Sequence, residues 1–251
     1  QIMGYSFLFY AFALLRDPLA AHLGIAPAIV LSAVSGSLLI QGFLSYIVGR
    51  WADQYGGLHV LACGFLIGAC GIAGLAFVGS LIAMCLCFLL IGIAIAMATY
   101  EVAFSAVVQL DEARSRWLIS VVSFYGGIAS SVAWLLLQPL LLTYGFRTAC
   151  FVSASLLAIT ACFAFYHSAK HQRTGTKKEA MAPFRFAALN AIEKRALIIL
   201  ASASGVEYFT FAATALFWIT WFTDLFGDIS TAVWLHVSHQ SLSFILFCQE
   251  V

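Results

Sequence analysis

Apolar runs about as long as a bilayer is thick recur along this chain of 251 residues, and no other feature constrains its fold so tightly. The hydrocarbon core of a membrane is about 30 Å thick, so a helix that crosses it needs about 20 mainly apolar residues. Such runs cover 28–48, 58–79, 82–108, 117–143, 148–166 and 196–222. A shorter, aromatic-rich run, 3–15, precedes them and ends at Arg16-Asp17-Pro18, because proline disfavours helical geometry in the residue before it. A weaker eighth run, 230–247, carries His236 and His239. The expected fold class is all-α and integral to the lipid bilayer.

Composition agrees. Charged residues make up 9% of the chain, against about 25% in ordinary globular domains. Long stretches therefore have no polar face to offer water. A formal net charge of +1, with no cluster of basic and aromatic residues, gives nucleic acid nothing to bind. All seven cysteines (Cys63, Cys70, Cys85, Cys87, Cys150, Cys162, Cys248) lie in apolar runs without a C-x-x-C pair, so they read as small buried hydrophobes. The chain begins at Gln1 with no basic n-region and no small-residue cleavage site, which argues against a signal peptide and for an N-terminus further upstream.

Charge orients the spans. Numbering the turns alternately, one side holds Arg50, Arg114, Arg116, Lys170, Arg173, Lys177, Lys178, Arg185, Lys194 and Arg195, and the other holds Arg16 and Arg147. The positive-inside rule places the richer side in the cytoplasm, at the plasma (inner) membrane. The polar, basic stretch 167–195, with Pro183, is then a cytoplasmic linker between a bundle of six spans, 1–166, and the start of a second bundle, 196–251.

Two local patterns support a bundle. Gly64, Gly68, Gly71 and Gly74 recur at helical spacing, and rows of small residues let membrane helices approach closely. Asp53-Gln54-Tyr55-Gly56 after the second span is echoed by Leu142-Thr143-Tyr144-Gly145 after the fifth. Transporter halves are often inverted repeats of three helices, and each tetrapeptide falls between the second and third helix of such a unit.

The turn 49–57, Gly-Arg-Trp-Ala-Asp-Gln-Tyr-Gly-Gly, carries the most specific local signal. It resembles the loop between helices two and three of the major facilitator superfamily, G-x-x-x-D-[RK]-x-G-[RK]-[RK]. Gly49, Asp53 and Gly56 match at the right spacing, whereas Gln54, Gly57 and Leu58 stand where basic residues are usual. The glycine-rich fifth span, the Tyr144-Gly145-Phe146-Arg147 turn and the basic loop before the seventh span extend the resemblance to about Gly227. It implies a six-helix N-terminal bundle of 3+3 inverted repeats followed by one or two helices of a second bundle. It also implies that Asp53 latches the two halves on the cytoplasmic side. Asp53 has a helix N-terminus, Arg114 or Arg116 as alternative partners.

Glu101 and Glu207 are the sharpest candidates for chemistry. A carboxylate inside a span costs roughly 2.5–3.5 kcal/mol on insertion scales and usually marks an ion or proton pathway. Burial favours the neutral acid, which suits a group that loads and releases a proton. Glu101 adjoins Tyr100 in the fourth span and Glu207 adjoins Tyr208 in the seventh, spans that line a central cavity in the resembled family. A structural hydrogen bond to a neighbouring helix is the alternative for both. Tyr5, Tyr10, Gln41, Tyr125 and Gln138 are further polar groups within spans. The tyrosines also suit membrane interfaces, and Gln138 suits the carbonyl freed by Pro139.

No phosphate-binding loop, H-E-x-x-H or G-x-S-x-G occurs, so neither an ATPase nor another enzyme is expected, and no cofactor. His236 and His239 are three apart without a third ligand, so no metal site is expected. The reading is secondary active transport of a small organic solute, coupled to protons, by alternating access. Its alternative is an inactive or regulatory fragment, since the layout is that of one half and a little more, and a second half would have to complete the cavity. Beyond residue 230, a gene fragment and a change of reading frame remain open.

Overall fold

The computed structural model of the chain describes residues 1–172 and 190–227, and all regular structure there is helical. α1 (Ile2–Tyr5), a π-helical segment (Ser6–Tyr10) and α2 (Ala11–Leu23) run on as one first span. α3 (Pro27–Tyr55) and α4 (Gly57–Leu75) are the second and third. α5 (Leu81–Ala98) and α6 (Tyr100–Leu110) form an interrupted fourth, and α7 (Ser115–Gly127) leads into α8 (Ala129–Gln172). α9 (Ala191–Phe226) follows and meets α2.

The stretch Ser115–Lys170 would be about 84 Å long as a straight helix at 1.5 Å per residue, nearly three hydrocarbon thicknesses. It does not run straight. Gly145 has φ 81° and ψ 177°, outside the helical region, so α8 reverses there and supplies both the end of the fifth span and the whole of the sixth. Gly56, with φ 92°, does the same between α3 and α4. The two tyrosine-glycine turns echoed in the sequence are therefore the same device, a single left-handed glycine joining two spans. They lie at opposite ends of the bundle, as an inverted repeat requires.

Both ends are fastened across the chain. At one, Gln109 at the end of α6 bonds to Ala52 and Gly57 beside the Gly56 turn. At the other, the His22 ring lies 3.1 Å from the Val78 carbonyl and stacks at 6.1 Å on Phe146, drawing together the first span, the 76–80 turn and the Gly145 turn. The chain thus passes up and down six times before residue 172.

The core sits where the first span, α4, α5 and α8 meet. Phe7, Phe12, Phe88, Ile72, Leu75, Trp134 and Leu137 are among its largest fully buried side chains. α4 packs chiefly on α8 and α5, and its glycine row makes this possible. A Cβ at Gly64 would lie 2.7 Å from that of Met97, and one at Gly71 would lie 2.9 Å from Ile91. Among α3, α4, α5–α6 and α7–α8, α3 is the least enclosed, with 17% of its apolar window buried.

Several boundaries differ from those expected. Pro18 does not end the first helix, which continues to Leu23 and stops at Gly24 in the left-handed region, φ 65°. Proline removes one donor, and a membrane helix tolerates that when neighbours satisfy the freed group. Residues 50–55 are not a turn but the last turns of α3, so the turn shrinks to Gly56. Glu193, Lys194 and Arg195 lie in α9 and not in the linker. Asn190 starts that helix, because its side chain accepts from the Glu193 N–H at 2.8 Å while the Glu193 carboxylate accepts from the Asn190 N–H at 2.9 Å.

Candidate functional site

Three spans are interrupted at mid-depth, and the interruptions face one another. The first span carries the π segment Ser6–Tyr10, and π segments concentrate at functional positions. The fourth breaks at Thr99, whose backbone is extended (φ −101°, ψ −171°). Eleven residues separate it from Leu110, about 16 Å of helix. The fifth breaks between α7 and α8 at Ile128, just after Gly126-Gly127.

Cross-bonds join these interruptions. Ser6 Oγ donates to the Ala129 carbonyl at 2.6 Å, Tyr100 Oη donates to the Ser123 carbonyl at 3.2 Å, and Trp134 Nε1 donates to the Tyr10 carbonyl at 3.3 Å. The Tyr5 and Tyr100 rings are 4.5 Å apart, Tyr100 stacks on Phe104 at 5.3 Å, and Tyr10 meets Trp134 edge-on at 6.5 Å. Gly126 gives the Tyr100 phenol its place, since a Cβ there would collide with the hydroxyl.

Glu101 stands in the first turn of α6, immediately after the break. A helix N-terminus presents unpaired N–H groups and partial positive charge, which favours a carboxylate. Thr99 Oγ1 lies 2.8 Å from a Glu101 carboxylate oxygen and 2.8 Å from the Ile95 carbonyl, with one proton to give to either. On the side towards α3, Glu101 opens on a cleft of about 130 Å³. Gln41, Ser45, Gly49 and Asp53 of α3 and Ser105 of α6 also line it. The helical sequence explains the α3 edge: 41, 45, 49 and 53 are four apart and share a face. The cleft thus holds two carboxylates, an amide and two hydroxyls, and among the described residues no basic side chain lines it.

The structure brings Tyr5, Tyr10 and Tyr100 into one aromatic cluster, and Gln41, Gly49, Asp53 and Glu101 into the neighbouring cleft. It does not bring in the rest. Tyr125 is 51% exposed beside Phe124, and Gln138 is half-buried in α8. Arg114 pairs with Asp111 at 3.6 Å, and neither it nor Arg116 makes an ion pair with Asp53 in this structure. Glu207 lies in α9, but its side chain and that of Tyr208 are outside the described residues, as are His236 and His239. Among the described residues no group of three metal-ligating side chains occurs. Ser6, Thr99, Ser105, Gln109 and Trp134 were not singled out by sequence. Only Gln109 leaves a trace there, as a carboxamide at the polar end of an apolar run.

The family profile of the major facilitator superfamily matches residues 2–247, beyond the Gly227 to which sequence motifs carry the resemblance. Among solved structures, a mutant of the peptide transporter POT in complex with alafosfalin superimposes with a TM-score of 0.53 at 16% identity. The match covers 89% of this chain and 48% of that one, so the chain spans about half the transporter's length; at this identity the likeness shows the fold. No curated protein sequence matches significantly.

Proposed function

The chain belongs to the major facilitator superfamily, and from that membership we propose that it serves secondary active transport of a small organic solute, coupled to protons, by alternating access. That superfamily consists of transporters and not enzymes. The observation that carries the coupled reading is Glu101, a carboxylate at a break in the middle of a span, sharing its cleft with Asp53. A carboxylate within a span is costly, and such groups commonly mark an ion or proton pathway. The break gives Glu101 hydrogen-bond donors, the Thr99 hydroxyl among them.

In this reading residues 1–166 are the N-terminal bundle, the cytoplasmic linker runs between α8 and α9 within 167–195, and 196–251 belongs to the second bundle. The protein is a multi-pass component of the plasma membrane with its basic-rich end in the cytoplasm. Alternating access rocks two bundles about a site between them. The partner proposed for the first bundle is therefore a second one, lying along the open side of α3. Asp53 would latch the two where the turns meet. Tyr5, Tyr10 and Tyr100 would form the apolar wall of the solute site, with Glu101 the group that changes protonation as the site changes sides.

Proteoliposome uptake tests this. A panel of labelled amino acids, peptides, sugars and aromatic amines is offered with and without an imposed pH gradient. Accumulation of at least one solute that rises with the gradient is expected, and Glu101→Gln should abolish the gradient dependence. Gradient-driven uptake by Glu101→Gln equal to wild type would refute the coupling role.

A further inference from the structure

Three polar contacts converge on the side chain of Gln109, in the last turn of α6. Its Oε1 accepts from the Gly57 N–H at 2.7 Å, its Nε2 donates to the Ala52 carbonyl at 2.9 Å, and Ser105 Oγ lies 3.1 Å from the same nitrogen. The place matters because α3 ends and α4 begins on either side of one residue, Gly56. Helix ends leave carbonyls at one terminus and N–H groups at the other without intrahelical partners. A carboxamide offers donor and acceptor together, so Gln109 serves the Gly57 N–H at the start of α4 and also the Ala52 carbonyl, which accepts the Gly56 N–H at 3.0 Å as well.

Gly57 is the other half of the arrangement. A Cβ there would lie 2.7 Å from the Ala106 nitrogen and 2.9 Å from the Ala106 Cβ, so α4 starts directly against the backbone of α6. The missing basic residue at position 57 therefore has a steric reason: no side chain fits there while α6 stays in place. Asp53 is the residue after Ala52, and it opens on the cleft that holds Glu101.

We infer that Gln109 is the positioning residue of the Gly56 turn: its carboxamide fastens the α3–α4 junction to the end of α6 and so fixes Asp53 relative to Glu101. This rests on the transport reading only for what the fastened turn is used for; the fastening is measurable without transport.

Hydrogen–deuterium exchange of the full chain in lipid nanodiscs, followed at the peptide spanning 52–58, tests it. Gln109→Leu should speed exchange in that peptide at least tenfold, while peptides from α5 and α8 keep their protection. Gln109→Glu separates hydrogen bonding from packing. A protonated carboxyl keeps one donor for the Ala52 carbonyl and one acceptor for the Gly57 N–H, losing only the amide's second donor to Ser105, whereas a carboxylate only accepts. After correction for intrinsic rates, protection in Gln109→Glu should match wild type at pH 4 and fall to the Gln109→Leu level at pH 8. The titratable and charged groups on the surrounding elements include Arg50, Asp53 and Tyr55 on α3, His59 on α4, Glu101 on α6, Asp111, Glu112 and Arg114 after α6, and Arg116 on α7. All are present in wild type, whose own profile subtracts their contribution.

Wild-type protection in Gln109→Leu would overturn the inference, as would a Gln109→Glu unprotected at both pH values. Should Gln109→Leu fail to fold, the pH step in Gln109→Glu decides alone. Normal exchange changes with undiminished uptake in Gln109→Leu would refute the positioning of Asp53 and leave transport standing. A wild type without uptake would refute the transport reading and leave the clamp standing.

Discussion

Ser6 of the first span donates its hydroxyl to the Ala129 carbonyl at 2.6 Å, binding a π segment to the start of α8 across 123 residues of sequence. The bond is buried, and it joins two places where regular α-helix is interrupted. Interhelical hydrogen bonds in membranes contribute on average about 0.6 kcal/mol and up to about 1.7. Ser6→Ala should therefore destabilise the bundle by about 1 kcal/mol. A reversible unfolding titration in mixed detergent micelles reads this as a lower midpoint, and an unchanged midpoint would show that the bond contributes nothing net.

Neighbouring glycines in the fifth span should respond in opposite directions. A Cβ at Gly126 runs into the Tyr100 hydroxyl, whereas one at Gly127 meets nothing within 4 Å. Overpacking costs about 1–3 kcal/mol. Replacing an unhindered helical glycine by alanine gains roughly 0.5–1 kcal/mol. Thermal melting should place Gly126→Ala below wild type and Gly127→Ala at or above it. Adding Tyr100→Phe to Gly126→Ala should recover part of the loss, because the hydroxyl is the nearest obstacle.

The turn motif makes a less intuitive case. Gly57→Arg restores a basic residue of the resembled loop pattern, yet position 57 lies against the Ala106 backbone, which cannot swing aside as a side chain would. It should lower the melting temperature, by the same order of about 1–3 kcal/mol. Arg114→Ala is the contrast. Its ion pair with Asp111 is exposed, and exposed pairs contribute about 0–1 kcal/mol, so its melting temperature should stay near wild type. Equal melting temperatures for wild type and Gly57→Arg would show that α4 and α6 can separate freely there.

What the sequence made legible follows from how each feature is encoded. Bilayer thickness imposes run length, so the spans could be read, and close helix approach imposes small residues, so the Gly64–Gly74 row could be read. The single-glycine turns at Gly56 and Gly145 were visible as an echo because both demand the same backbone conformation. The interruptions at Ser6–Tyr10 and Thr99 were invisible: neither contains glycine or proline, and Leu81–Leu110 reads as one apolar run. Pro18 misled in the other direction, since the preference against helix before proline is weaker than the need of a membrane segment to stay hydrogen-bonded. Asp53 and Glu101 each stood out alone. That they share a cleft depends on the pairing of α3 with α6, which no local pattern records.

Orientation is open to a direct chemical check. The 76–80 turn and the 111–114 turn lie at opposite ends of the bundle, the first beside His22 and the second beyond Gln109. Arg114 and Arg116 adjoin the second, and the positive-inside rule assigns that end to the cytoplasm. With the seven native cysteines replaced by alanine, Ser80→Cys and Glu112→Cys each place one thiol at an exposed turn. A membrane-impermeant maleimide applied to intact cells should label Ser80→Cys at once. It should label Glu112→Cys only after the cells are permeabilised. Ser80 is also the N-cap of α5, accepting from the Ala83 N–H at 3.2 Å, so its replacement weakens one helix end by about 1 kcal/mol without moving the turn to the other side. The reverse labelling pattern would invert the assigned orientation and place the Asp53 latch outside the cell.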